Sequence, residues 1–326
     1  MRSEGSRPHI SQGITRQFER FRAMDPAGAE DWYRSLDEDL RALGSLWSIR
    51  RSSVDPDAYM GLVLESDSEK YGSVVIKMYP PFLRERYDKE AWILQTLEHY
   101  RQCTLLDTCP DRCAMLLERV TPGSYISYPR DAAAIEDLFR QMDEHKAPAS
   151  GRGDLMPSIR GVLEQAEWEY PLSAKYGYHP QTISYLLQKA KEVYEAFFST
   201  EEKYLLHGDV YFKNALWGAD GIRIIDPFGY RDAYIFEYMP FFTYELSLHS
   251  RPGAYREDLR ALEAFFSRFT DTSKFTAAAF VFLVRQLIPS IHEGNDCFRR
   301  ADGYLRLIES LYLDEGGALD LGRPLL

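Results

Sequence analysis

His207-Gly208-Asp209-Val210-Tyr211-Phe212-Lys213-Asn214 is the stretch on which the reading of this chain turns. It is followed by the mostly apolar run Ile222 to Ile225, which ends in Asp226-Pro227. An Asp, an Asn five positions later and a second Asp closing a short strand supply the acidic half of a phosphoryl-transfer site. Such a site needs one carboxylate at the attacking hydroxyl and two oxygen ligands for Mg2+ on a triphosphate. The pattern predicts a hairpin that carries all three. Leu205 and Leu206 lead in, Ala215 to Trp217 lead out, Ala219-Asp220-Gly221 turn, and Ile222 to Ile225 return.

Each residue also has a plainer reading. Asp209 alone reads as a turn aspartate that caps its own backbone. Its setting between His207-Gly208 and Asn214 points instead to a base that orients a hydroxyl and takes its proton. Asn214 offers a neutral carbonyl oxygen and Asp226 a charged one, the donor types Mg2+ accepts. Lys213 touches a phosphate or is simply solvated. His207, at a strand end beside a glycine, reads as a structural imidazole bonded to backbone rather than as a base.

Working outward, Lys77 closes the β-branched run Ser73-Val74-Val75-Ile76. A lysine inside a buried strand is costly unless paired. Glu90, on the helix predicted over Arg84 to Tyr100, is the natural partner, and Lys77 then grips the α/β-phosphates of a nucleotide. The plainer reading is an edge lysine with its ammonium in water. Met115 to Val120 reads as a connector whose backbone, at Glu118 and Val120, holds adenine. The loop Arg51 to Asp57 has Ser52-Ser53 where a phosphate loop wants Gly-x-Gly, although its amides and hydroxyls can still cover phosphates. Arg152-Gly153-Asp154 reads as a chance tripeptide.

The periodicity predicts a helix from Ala27 to Leu43 (Trp32, Leu36, Leu40, Leu43) ended by Gly44. Strands are predicted at Ser45 to Arg50, Tyr59 to Glu65, Ser73 to Tyr79 and Ala114 to Val120. Further helices fall at Ala132 to Glu144, Pro180 to Phe198, Tyr255 to Phe269, Phe275 to Ile288 and Ala301 to Tyr312, with a loop from Lys146 to Pro157. The fold class expected is α+β. A flexible lead spans residues 1–13, a nucleotide-binding lobe with an N-terminal helix spans 14–120, and a helical lobe carrying the catalytic and substrate site spans 121–326.

The chain has 326 residues, with 39 Lys and Arg against 50 Asp and Glu, a formal net charge of −11. That field disfavours nucleic acid and anionic membranes as partners and suits a cationic small molecule. Cys103, Cys109, Cys113 and Cys297 show no zinc spacing and read as free thiols. No apolar signal core opens the chain, and no run is long enough to span a bilayer, so the expectation is a cytoplasmic enzyme, monomer or homodimer.

These residues bring out a family likeness. The chain resembles the aminoglycoside phosphotransferase group of the protein-kinase-like superfamily, nearest the streptomycin 6-kinase and hydroxyurea phosphotransferase branch. The likeness rests on Val75-Ile76-Lys77, Glu90, Leu116-Leu117-Glu118-Arg119 with Pro122-Gly123, His207-Gly208-Asp209 to Asn214, and Ile225-Asp226-Pro227. It implies a two-lobed kinase-like fold, ATP and Mg2+ as cofactors, and transfer of the γ-phosphate to an alcohol of an antibiotic or related metabolite. It implies Asp209 as base, Asn214 and Asp226 as metal ligands, and Lys77 with Glu90 on the nucleotide. Gly208 stands where protein kinases carry Arg, and Pro227 where they carry Phe-Gly, which favours a small-molecule acceptor. A regulatory pseudokinase and an atypical protein kinase are the other readings.

The sequence departs from the family in its aromatics. Tyr211 and Phe212 are bulky, and Tyr230, Tyr234, Phe236, Tyr238, Phe241, Phe242 and Tyr244 crowd one stretch. They form either core or a substrate wall with cation–π character. Asp232, Glu237 and Glu245 lie among them as candidate carboxylates for a cationic substrate.

Overall fold

The structure, a computed structural model, describes residues 7–55, 58, 61–169, 180–249, 254–292 and 298–313. Two compact units emerge, one from Met1–Ser124 with Leu216–Ile225, the other from Tyr125–Ala215 with Asp226–Leu326.

The first unit begins with helix α1 (Arg7–Met24). Helix therefore covers residues 7–13, which composition marks as a flexible lead. The apolar spacing of Ile14, Phe18 and Phe21 is the signal for it. Asp25 then caps α2 (Pro26–Leu46), its carboxylate accepting from the Gly28 amide at 3.0 Å. This helix runs past Gly44, where an added Cβ would meet open space. Burial of Trp47 favours the extra turn, and Ser48, at φ 54°, swings the chain into β1 (Ile49–Val54).

The first strand thus lies four residues later than its composition suggests. The sheet continues with β2 (Leu62–Ser68) and β3 (Gly72–Met78). Helix α3 (Arg84–Thr96) follows, then β4 (Leu105–Cys109) and β5 (Ala114–Glu118). The strand order is β1-β2-β3-β5-β4, antiparallel throughout. β4, half-buried along its length with an Asp and a Thr in it, carries no sequence signal strong enough to predict.

Both faces of this sheet are covered, which explains the unbroken apolar run of β3. Val74, Ile76 and Met78 join Leu62, Leu64 and Leu116 against Trp32, Leu36 and Leu43 of α2. The alternate positions, Val75 with Met115 and Leu117, pack against Tyr87, Ala91 and Leu94 of α3. Side-chain alternation along a strand therefore puts Lys77 on the α3 face.

The second unit is mainly helical. Its elements are α4 (Ala132–Glu144), β6 (Ala147–Pro148), α5 (Ile159–Glu169), α6 (Pro180–Phe197) and β7 (Tyr204–Leu206). The hairpin β8 (Ala215–Gly218) and β9 (Gly221–Ile224) belongs almost wholly to the first unit, and the second resumes with β10 (Tyr230–Asp232), α7 (Met239–His249), α8 (Tyr255–Phe266), α9 (Phe275–His292) and α10 (Phe298–Tyr312). β7 does not share the β8–β9 hairpin; it pairs with β10 and β6. The crowded aromatics are mostly core. Phe139 of α4 packs on Tyr238, Phe266 and Phe241 at 5.3, 5.5 and 5.7 Å, and Phe242 meets Phe275 at 5.6 Å. Cys103, Cys109 and Cys113 form no disulfide among the described residues; Cys297 lies outside them. Among the described residues no helix is long and apolar enough to cross a membrane.

Candidate active site

In the first unit Lys77 and Glu90 are 7% and 3% exposed, and their Nζ and Oε1 atoms lie 2.7 Å apart. Two charges so deep in a protein persist only when each neutralises the other. Tyr79, two residues along the same face, donates its hydroxyl to Glu90 Oε2. The carboxylate therefore has a partner on each oxygen. Sequence reasoning missed Tyr79, because an aromatic after a strand reads as core. It missed Gly61 as well. An added Cβ there would lie 3.0 Å from the Met78 carbonyl and 3.5 Å from Lys77 Cγ, so the backbone rests against the lysine stem.

The predicted phosphate loop is corrected. Ser52 and Ser53 belong to β1, paired with Ser66 and Glu65 of β2, and Ser52 Oγ is 2.9 Å from Ser66 Oγ. The Ser52 hydroxyl is thus taken up by β2, while on this edge strand only alternate amides face the partner. At the connector the Glu118 N–H donates to the Thr104 carbonyl, and the Glu118 carboxylate accepts from Thr104 N and Oγ1. Of the adenine-holding groups read at Glu118 and Val120, the Glu118 N–H is thus already engaged.

In the second unit β7 ends at Leu206 and the chain turns sharply at His207-Gly208. Gly208 sits at φ 76°, and an added Cβ would lie 2.5 Å from Tyr230 Cδ2. Tyr230 has little room to yield, because Arg285 takes its hydroxyl and lies against both it and Phe228. Glycine is therefore required here by backbone and by packing, and an arginine has no place. Gly208→Ala should cost about 2–4 kcal/mol of unfolding free energy, from left-handed backbone plus overpacking. Urea denaturation measures it, and a loss below the scatter of surface substitutions removes this account of the turn.

The turn is held from beneath. Glu237 is fully buried and accepts from the His207 and Gly208 amides at 2.7 and 3.0 Å. His207 is buried too; its Nδ1 accepts from the Asp209 amide at 3.3 Å, the structural part that its position suggests. The His207 carbonyl accepts from both Phe228 and Gly229 amides at 2.9 Å, which ties the segment after Asp226 to the segment before Asp209.

Asn214 is buried and donates through Nδ2 to the Asp209 carboxylate at 2.8 Å and to its carbonyl at 3.0 Å. Those bonds assign the amide nitrogen to Asp209 and leave Oδ1 as the oxygen it presents elsewhere. Asp226 is exposed and sits at φ 63°, a left-handed conformation that Asp tolerates better than most residues. Strain of this kind clusters at working sites. Tyr244 of α7 stacks on Tyr211 at 4.3 Å. Its phenol is pushed well up, first by burial and then by the Asp209 carboxylate nearby. Among the described residues no three His, Cys, Asp or Glu cluster around a metal position. A magnesium site that takes most of its oxygens from phosphate and water needs no such cluster.

Of the three carboxylates read as substrate ligands, Asp232 and Glu237 are engaged by protein donors. Asp232 is fully buried and accepts from Ile159 N, Tyr194 Oη and Ala233 N, with Lys203 3.3 Å away. Glu237 holds the His207-Gly208 turn. Glu245 is buried, and its charge, after burial, raises the Tyr128 phenol, which packs among Phe241 and Phe265. Their burial was not legible, because nothing in the sequence marks a buried carboxylate.

No protein-family model and no curated protein matches this sequence. Solved structures do match in shape. The chain is similar to the choline kinase LicA from Streptococcus pneumoniae, at 10% identity over 83% of this chain and 96% of that one, with a TM-score of 0.58. It is similar to an ethanolamine kinase of Plasmodium vivax, at 9% identity over 80% and 83%, with a TM-score of 0.57. The aminoglycoside phosphotransferase APH(4)-Ia gives 13% identity over 83% and 99%, with a TM-score of 0.55. This is the protein-kinase-like fold. Identities so low establish the architecture and leave the chemistry to the side chains.

Proposed function

We propose that the protein is an ATP- and Mg2+-dependent kinase that transfers the γ-phosphoryl group to a hydroxyl of a small molecule. The observation that carries this reading is the Asp209–Asn214 pair, set on a glycine turn that Glu237 fixes, in a kinase-like fold. Asp209 orients the acceptor hydroxyl and takes its proton as the bond to phosphorus forms. Asn214 stops the rotation of that carboxylate through Oδ2. Asn214 Oδ1 and the Asp226 carboxylate would hold Mg2+, which would offset charge on the triphosphate. Lys77, oriented by Glu90, holds the phosphates, and the backbone at Glu118 and Val120 holds the base. Nucleotide complexes of the structural neighbours support this: LicA has been solved with AMP, and APH(4)-Ia with ADP and hygromycin B.

A small-molecule acceptor is supported by Gly208, whose packing on Tyr230 excludes the arginine by which protein kinases sense a phosphorylated loop. The acceptor we propose is an aminoglycoside-like antibiotic or related metabolite, in line with the streptomycin 6-kinase and hydroxyurea phosphotransferase likeness. Choline and ethanolamine kinases among the neighbours extend the trial set to amino alcohols. The test is Mg2+-dependent ADP release against aminoglycosides, hydroxyurea, choline, ethanolamine and simple sugars. Stimulation by one of these, with phosphate recovered on it, is the expected result. Absence of Mg2+-dependent ATP binding ends the reading.

A further inference from the structure

Gln17 is fully buried on α1, and a buried amide demands a partner. It finds one in a distant segment: its Nε2 donates to the carbonyl of Ala58. Arg20, one turn further along α1, donates to the same carbonyl at 2.8 Å, and its guanidinium is 3.4 Å from Gln17 Oε1. Two donors on one helix converge on one backbone oxygen in the connection from β1 to β2. Three residues beyond Ala58 lies Gly61, the glycine whose backbone rests against the Lys77 stem.

The same helical pair reaches the other half of the buried ion pair. Phe21 of α1 packs on Trp32 of α2 at 5.1 Å and on Phe82 at 6.2 Å. An added Cβ at Gly28 of α2 would lie 2.7 Å from Phe82 Cδ1. Phe82 stands two residues before α3, which carries Glu90. The N-terminal helices thus brace the chain on both sides of Lys77–Glu90.

We propose that α1 is a positioning element for the nucleotide: Gln17 and Arg20, through Ala58, fix where Gly61 sits against the Lys77 stem and so set affinity for a nucleoside triphosphate. This rests on the kinase reading above. Neither residue touches the ligand. With the carbonyl released, Ala58 and Gly61 are held less firmly beside Lys77, and nucleotide binding must bear the cost of ordering them.

The test uses the full chain in three variants, Arg20→Ala, Gln17→Leu and Arg20→Lys, with Glu19→Ala on the exposed side of α1 as control. Hydrogen exchange without nucleotide is followed in peptides covering residues 55–63, and Mg2+ with a fluorescent ATP analogue is titrated into each protein. Arg20→Ala and Gln17→Leu should exchange faster there and bind the analogue about fivefold to tenfold more weakly, the size of one lost hydrogen bond to backbone. Arg20→Lys keeps a donor and should recover most of the affinity; Glu19→Ala should match wild type. If Gln17→Leu does not fold, the half-buried Arg20 carries the test alone. Wild-type binding with unchanged affinity and exchange in Arg20→Ala overturns this inference and leaves the kinase reading intact. A wild-type protein that binds no nucleotide overturns both.

Discussion

Asp209→Asn is expected to lower turnover by about 10²–10⁴-fold, the usual contribution of a positioned general base. The substitution keeps the size and shape of the side chain. An amide oxygen at 209 still accepts from Asn214 Nδ2, so the turn keeps its internal bond. The backbone beneath is held independently by Glu237 and the His207 carbonyl. Only the capacity to take a proton is lost. Nucleotide affinity and thermal midpoint should therefore stay at wild-type values while ADP release on the best acceptor collapses. A variant that keeps wild-type turnover would remove Asp209 from the chemistry.

Lys77→Met should lower the free energy of unfolding by roughly 3–5 kcal/mol, the loss seen when one partner of a buried ion pair is removed. Glu90 is then left charged and 3% exposed, with the Tyr79 hydroxyl as its remaining partner in this network. The double variant Lys77→Met with Glu90→Gln separates structure from function. A glutamine still accepts from Tyr79, and no charge is stranded, so most of the lost stability should return. Nucleotide affinity should not return, because the ammonium proposed to hold the phosphates is gone from both. Urea denaturation and nucleotide titration read the two effects apart. If the double variant is as unstable as the single one, the ion pair is not the source of the loss. If it binds nucleotide like wild type, Lys77 has no part in binding.

Much of this was legible along the chain. Asp209, Asn214 and Asp226 fall within eighteen residues, so their chemistry is written in local spacing. Lys77 was legible because a lysine in an apolar strand raises the question of its partner, and Glu90 lies on the next helix. Helices with strong apolar stripes, such as Ala132–Glu144, were legible by period. The first strand was misplaced because Gly44 looks like a helix end, whereas burial of Trp47 favours one more turn. That shift moved Ser52 and Ser53 out of a loop and into a paired strand.

What the sequence alone determined is the set of candidate reacting groups and the order of the main elements that carry them, since both depend on residue type and short-range spacing. Tertiary structure alone decided which carboxylates are available. Asp232, Glu237 and Glu245 look like surface acids, yet all three are buried, and Glu237 serves two backbone amides thirty and twenty-nine residues away. Only the fold shows why position 208 must be glycine, because the ring that forbids a side chain there comes from Tyr230 in another strand. The physical reason is common to all of these. Burial and hydrogen-bond partners are properties of distant segments brought together, and no local pattern encodes them.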